Sequence, residues 1–116
     1  FAYMAKSPYN SRMATPFETP LADPATYRRQ ARVLKALANE SRLLIVDRLG
    51  RGDCSAGDLT QLVGLDQTTV SKHLAVLRAH GIVDGRREGT VVIYRLLTPC
   101  VATFLTCAAQ VLEQPR

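Results

Sequence analysis

The 116-residue chain has no apolar run close to the roughly 18 residues that a membrane-spanning helix requires. It also has no charged stretch followed by an apolar segment, which is the pattern of a secretory leader. Its three cysteines, an odd number without close pairing, do not form the pattern of a disulfide framework. These absences predict a soluble cytoplasmic protein whose thiols are free, either as small buried hydrophobes or for their chemistry.

The motifs of the common enzyme classes are absent as well. We find no Gly-rich phosphate loop, no plausible Ser/His/Asp set and no zinc-hydrolase spacing, so an enzyme is the weakest functional hypothesis. The chain does carry a net charge of +5 and a pI near 9.5, which suit a polyanionic partner. With 47% hydrophobic residues it can bury one small core, and a partner subunit would help to cover that core.

Proline is concentrated at the start of the chain. Residues 1–24 hold four of the six prolines and show no helical periodicity, so we predict a flexible N-terminal arm there. Residues 1–12 resemble sequence left by an expression vector, which would make Met13 the native start. The folded domain is predicted to cover residues 25–114.

Capping residues and apolar spacing predict three helices before residue 65. The first covers residues 25–38 and follows Asp23-Pro24, a capping acid before a proline suited to the first helical position. The second opens at Asn39, and a Ser55-x-x-Asp58 pattern starts a short third helix that Gly64 closes. The apolar side of the second helix is predicted to consist of Leu43, Leu44, Val46 and Leu49.

Residues 66–80 form a fourth helix, and the functional hypothesis depends on it most. Val70, Leu74 and Leu77 recur at i, i+4 and i+7, which predicts a buried stripe, and Asp66 is suited to cap the helix. The other side carries amides, hydroxyls and one lysine but no carboxylate. Such groups match base edges and phosphates in the DNA major groove, although an ordinary surface helix is the simpler interpretation of this stretch alone. The predicted DNA-facing residues are Gln67, Thr68, Thr69, Ser71, Lys72 and His73.

After Gly81 the periodicity changes from 3.6 to 2, which predicts a β-hairpin over residues 82–96 with its turn near Glu88-Gly89. Arg86 and Arg87 lie beside the tip, where they could reach a phosphate or a minor groove. A short helix, a turn with Gly, a second helix and then a hairpin form a winged helix-turn-helix. The predicted fold is therefore mainly α with a small β-hairpin, in the order α-α-α-α-β-β-α.

Thr98-Pro99 predicts the start of a last helix over residues 99–113, with the Thr98 hydroxyl as its cap. This helix is apolar with almost no charge, which leaves more apolar surface than one small domain covers. Together with the first helix, it is predicted to form the interface of a homodimer.

The order of these elements and their local sequences resemble the ArsR/SmtB family of metal- and stress-responsive winged-helix repressors. The resemblance implies a homodimer on double-stranded operator DNA, with two recognition helices in successive major grooves about 34–36 Å apart and repression that an inducer relieves. A winged-helix module that binds protein instead of DNA is the second hypothesis. The matching segments, spread over about residues 25–113, are 34–43, 57–59, 67–74, 77–78, 81–83, 86–89 and 94–96.

The sensor is where the chain departs from the family patterns. Members that sense arsenic, zinc or cadmium often carry Cys-Val-Cys or Cys-Val-Gly before the Asp-Leu of the third helix, where this chain has Ser-Ala-Gly at 55–57. His73 and His80 are interpreted as surface or DNA-contacting residues. The family's zinc site on the last helix consists of Asp, His, His and Glu. This chain has Thr98, Cys100, Val111 and Gln114 at the corresponding positions, so we expect that zinc site to be absent.

The remaining candidate ligands are the thiols of Cys54, Cys100 and Cys107. Thiolates suit arsenite, antimonite or a soft metal ion such as cadmium as an inducer, with no obligatory cofactor, and they also suit oxidative sensing. Cys107 also fits a simple packing role. Seven residues of helix separate Cys100 from Cys107, a rise of about 10.5 Å, so a shared site needs an unwound first turn or a third thiol from Cys54 or the other subunit.

Overall fold

The structure is a computed structural model that describes residues 20–115. Most of the predicted arm, including the segment 1–12, lies outside the described residues. Residues 31–115 belong to one compact unit, which holds the predicted winged helix-turn-helix. The elements are α1 (Pro24–Leu37), α2 (Glu40–Leu49), β1 (Cys54–Ser55), α3 (Ala56–Val63), α4 (Gln67–Ala79), β2 (Val83–Glu88), β3 (Val91–Leu96) and α5 (Val101–Glu113).

The predicted caps fix where the central helices begin. Side-chain oxygens of Asn39, Ser55 and Asp66 each accept a hydrogen bond from a free amide at the start of the following helix, at 3.0, 3.1 and 3.3 Å. Each bond satisfies one of the donors that a helix leaves without an internal partner. Gly64 closes α3 in the left-handed conformation (φ 78°), where a side chain would be strained.

The core lies where α2, α3 and α4 meet the sheet, and Ile45, Leu59 and Leu77 are completely buried there. The predicted apolar side of α2 was partly wrong. Leu44 is 38% exposed, whereas Ile45, which the prediction left out, is buried. The reason is the unbroken apolar run at 43–46, which covers more than one full helical turn and so does not determine the orientation of the helix.

The predicted hairpin is confirmed, but it belongs to a three-stranded antiparallel sheet in the order β1-β3-β2. β2 and β3 pair from Val83 with Leu96 to Glu88 with Val91. β1 adds two residues on the outer side of β3, with Cys54 opposite Tyr94. The wing is therefore joined to the segment that directly precedes α3.

The start of α5 also differs from its prediction. α5 begins at Val101, and Thr98 does not cap it: its Oγ1 is buried with no hydrogen-bond partner in the part of the chain that the structure describes. Cys100 at the N-cap already has helical dihedrals (φ −61°, ψ −22°), so the chain enters the helix through a turn instead of an extended cap residue. No helix within residues 20–115 is long and apolar enough to cross a membrane.

Candidate nucleic-acid interface

α4 has one buried side and one polar side, as its sequence predicts. Val70, Leu74 and Leu77 are at most 3% exposed and anchor the helix to the core. On the other side, the first two turns of the helix present hydrogen-bonding groups and one cation to solvent and carry no carboxylate, whereas Arg78 in the last turn pairs with Asp84. The members of this exposed polar side are Gln67, Thr68, Ser71 and Lys72.

Thr69, also predicted to face DNA, lies at the edge of this surface and is half-buried. Its hydroxyl and its amide both donate to the carboxylate of Asp66. These two bonds, the hydroxyl bond first, lower the pKa of Asp66 because they stabilise the ionised carboxylate. In this arrangement the Thr69 hydroxyl helps to begin α4, and its role toward DNA stays a prediction.

His73 is half-buried on the flank of α4 that lies toward α2. Its Nδ1 lies 3.3 Å from Nη1 of Arg42, and Nε of Arg42 donates to the backbone carbonyl of Ala36 at 2.6 Å. Arg42 is not among the site residues predicted from the sequence. A signal was available, however, because a cation in the first turn of a helix opposes the helix dipole and so calls for another partner.

The two wing arginines have different surroundings. Neighbours on a strand point to opposite faces, and Arg86 shares its face with Glu88 while Arg87 does not. Nη1 of Arg86 pairs with Asp53 at 3.1 Å and its Nε pairs with Glu88 at 3.3 Å, and these bonds raise the pKa of Arg86. Arg87 is exposed and forms no ion pair with any residue of the described chain. Of the two predicted wing arginines, Arg87 is therefore the one open to a phosphate, whereas Arg86 joins the wing to the loop before β1.

Within a single chain, the three candidate thiol ligands do not form one site. Cys54 is buried in β1 at 6% exposure, whereas Cys100 and Cys107 are exposed on α5. Among residues 20–115, no group of three His, Cys, Asp or Glu side chains is close enough to hold a metal ion. A site made from these thiols would need either a rearrangement or a second chain.

The chain is similar to bacterial transcriptional regulators along most of its length. A family described as a helix-turn-helix domain matches residues 37–86. An HTH-type transcriptional regulator of Mycobacterium tuberculosis is 38% identical over 89 residues, which cover 76% of this chain and 78% of that protein. The biofilm growth-associated repressor of Agrobacterium fabrum is 41% identical over 90 residues, 71% of this chain and 77% of that protein.

A solved structure extends the similarity to three dimensions. It is the homodimeric winged helix-turn-helix DNA-binding domain of a possible ArsR-family transcriptional regulator from Mycobacterium bovis, which matches with a TM-score of 0.68 and 35% identity. The match covers 82% of this chain and 90% of that domain. The relatives are regulators, which agrees with the prediction that the chain is not an enzyme. The chain belongs to the ArsR/SmtB family of winged helix-turn-helix transcriptional repressors.

Proposed function

We propose that this protein acts as a homodimer that binds operator DNA through α4 and the wing, and that it releases the DNA when cysteine thiols bind a thiophilic inducer, most simply arsenite or antimonite. The observation that carries the DNA-binding part is the exposed side of α4. Amide and hydroxyl groups of Gln67, Thr68 and Ser71 suit base edges, and Lys72 suits a phosphate or a guanine. Arg87 supplies a second cation from the wing.

The proposal of a dimer is supported by apolar surface that one chain leaves open. An apolar groove of about 210 Å³ lies between α1 and α5, with Leu34 and Phe104 among its lining residues. Phe104 is 56% exposed, and Leu112 is 81% exposed near the end of α5. Large apolar side chains are rarely left in water when they lie together, and a second copy presents the same surface to cover them.

The proposal of a thiol sensor is supported by where the α5 cysteines lie. Helical periodicity places Cys100 and Cys107 on the same side of α5 as Phe104 and Val111, the side that dimerisation would cover. Thiols from two α5 helices would then lie near one shared interface. Cys54 is buried in the core, so its side chain would have to become exposed before it could bind an inducer, and we assign it the secondary role. An inducer works here only if it binds the DNA-incompetent dimer more tightly than the DNA-competent one.

The decisive experiment is a titration of the reduced protein on the DNA upstream of its own gene, followed by fluorescence anisotropy. We expect a complex that weakens steeply with salt and that dissociates on addition of arsenite. Cadmium, zinc and peroxide are added in parallel, since release by peroxide alone would assign the thiols to oxidative sensing.

Three single variants, Cys54→Ser, Cys100→Ser and Cys107→Ser, and the triple variant locate the sensor. We expect the triple variant to bind DNA like the wild type and to keep its DNA complex when arsenite is added. Cys100→Ser and Cys107→Ser should each lose most of the arsenite-induced dissociation. A full arsenite response in the triple variant would contradict the sensor while the DNA-binding part stands. Failure of the wild type to bind any DNA would contradict the whole proposal.

A further inference from the structure

One polar bridge connects the end of α1 to the DNA-reading helix, and it runs through a single side chain. Arg42, in the first turn of α2, uses its Nε to bind the carbonyl of Ala36 and its Nη1 to contact His73 on α4. The carbonyl of Ala36 belongs to the last turn of α1, where carbonyls have no partner within the helix. Arg42 therefore caps α1 with a cation, which the negative end of the helix dipole favours.

A hydrogen bond across this 3.3 Å contact requires one particular form of the His73 ring. A guanidinium has only donors, so Nδ1 has to accept in such a bond, and the ring proton then lies on Nε2. Because His73 is half-buried and lies on the flank of α4, away from Thr68 and Lys72, its partner in the structure is Arg42 and not the solvent on the polar side.

We propose that Arg42 and His73 are a positioning pair for the reading helix: they hold α4 against the end of α1, so that a displacement of α1 in the dimer is transmitted to the DNA-contacting side of α4. This inference rests on the proposed DNA-binding function, and it assigns His73 to orientation of the helix in place of base contact. The bridge is short and polar in a region otherwise held by apolar packing, which can slide. Directional bonds resist that sliding, and they fix the orientation of the helix as well as its distance.

The first test needs no DNA. The chain has only two histidines, so ¹⁵N-detected imidazole spectra of the wild type and of His80→Gln assign His73 without ambiguity. We expect His73 in the Nε2–H form in the wild type and a mixture of both tautomers in Arg42→Lys, which retains the charge but cannot reach both partners. Arg48→Lys is the matched control, because Arg48 lies on the same helix and its side chain, within the described part of the chain, binds only the carbonyl of Gly52. An unchanged His73 tautomer in Arg42→Lys would overturn the pair.

The second test separates positioning from DNA contact. Duplexes are selected from a random pool by the wild type, and the affinity for the selected duplex is compared with that for a scrambled one. We expect Arg42→Lys to lose about tenfold in this ratio, the scale of one charge-assisted hydrogen bond, while its affinity for scrambled DNA and its dimer dissociation constant stay within about twofold. Arg48→Lys should keep the wild-type ratio.

Two substitutions of His73 then decide its role. His73→Asn keeps an acceptor near the position of Nδ1, whereas His73→Gln places its amide near the position of Nε2. Positioning predicts that Asn retains the ratio and Gln loses it. The reverse order would overturn the proposal and make His73 a DNA contact. If the wild type selects no duplex, the proposed function fails, and the imidazole spectra still decide the Arg42–His73 link by themselves.

Discussion

The reading head (α3, α4, β2 and β3) and the α1/α5 pair use their apolar residues in opposite ways. In α4, Val70, Leu74 and Leu77 are buried in the core, and the exposed side of the helix is polar. In α5, Val101 is the one fully buried residue of the helix, and Phe104 is more than half exposed. A single chain therefore buries the apolar residues of the reading head, whereas it leaves apolar residues of α5 exposed, and these are the ones that the proposed dimer would cover.

The largest effect should follow from a substitution in the buried core of the reading head. Leu77 has no exposed surface, so Leu77→Ala leaves a cavity and should lower the free energy of unfolding by about 2–5 kcal/mol. Urea denaturation at fixed protein concentration measures the loss. Leu62→Ala on α3 is the control, because Leu62 is 47% exposed and should cost less than about 1 kcal/mol. Equal losses in the two variants would mean that the core is not where the structure puts it.

The second-largest effect is expected from a substitution on the exposed apolar face of α5. Phe104→Glu places a charge on the apolar face of α5 and should raise the dimer dissociation constant by about 30-fold or more, the scale of an interface hot spot. Sedimentation equilibrium measures it, and circular dichroism should show that the fold is retained. Thr106→Glu adds the same charge on the far side of the helix, about 160° around from Phe104, and should leave the dimer intact. Loss of the dimer in both variants would point to an effect of net charge in place of an interface.

A smaller effect is expected where the reading head joins α5. The buried Thr98 hydroxyl has no hydrogen-bond partner among residues 20–115, so Thr98→Val should raise the free energy of unfolding by about 1 kcal/mol because it removes an unsatisfied polar group. Thermal unfolding at matched concentrations provides the measurement. Thr106→Val is the control, since Thr106 is exposed and its hydroxyl already donates to the Ala102 carbonyl. A destabilised Thr98→Val would show that the hydroxyl has a partner after all.

The smallest effect concerns pH and the cap of α4. The folded pKa of Asp66 is lowered, so its contribution to stability is present above the unfolded pKa and is lost as pH falls through the folded pKa. Unfolding free energies measured from pH 5 to pH 2 should therefore fall less steeply in Asp66→Asn than in the wild type, because asparagine caps the helix without titrating. Identical slopes in the two proteins would mean that the carboxylate does not stabilise the helix.

Much of this architecture could be predicted because short-range rules govern it. Asn39, Ser55 and Asp66 cap their helices as expected, since a cap needs only its own next three residues. The two-residue β1 could not be predicted, because two residues have no periodicity and depend on a partner strand far along the chain. The predicted cap at Thr98 was wrong because Cys100 takes the N-cap position with helical dihedrals, which the Thr98-Pro99 motif does not specify.

The site shows the same limit. The exposed side of α4 follows from helical spacing, and strand alternation would have separated Arg86 from Arg87. By contrast, the partners of Arg42 are a carbonyl of another helix and a ring 31 positions away, and no local pattern specifies either. The wing pair between Asp53 and Arg86 is equally remote in sequence.

The short strand β1 has one more consequence. Residues 53–55 are hydrogen-bonded or ion-paired to the wing, and α3 begins directly after them. This segment therefore joins the helix-turn-helix to the hairpin. Residues 53–96 thus form a natural cassette for exchange between relatives. A chimera cut at those two borders should combine the operator preference of one parent with the α5 thiols of the other, while Cys54 moves with the cassette.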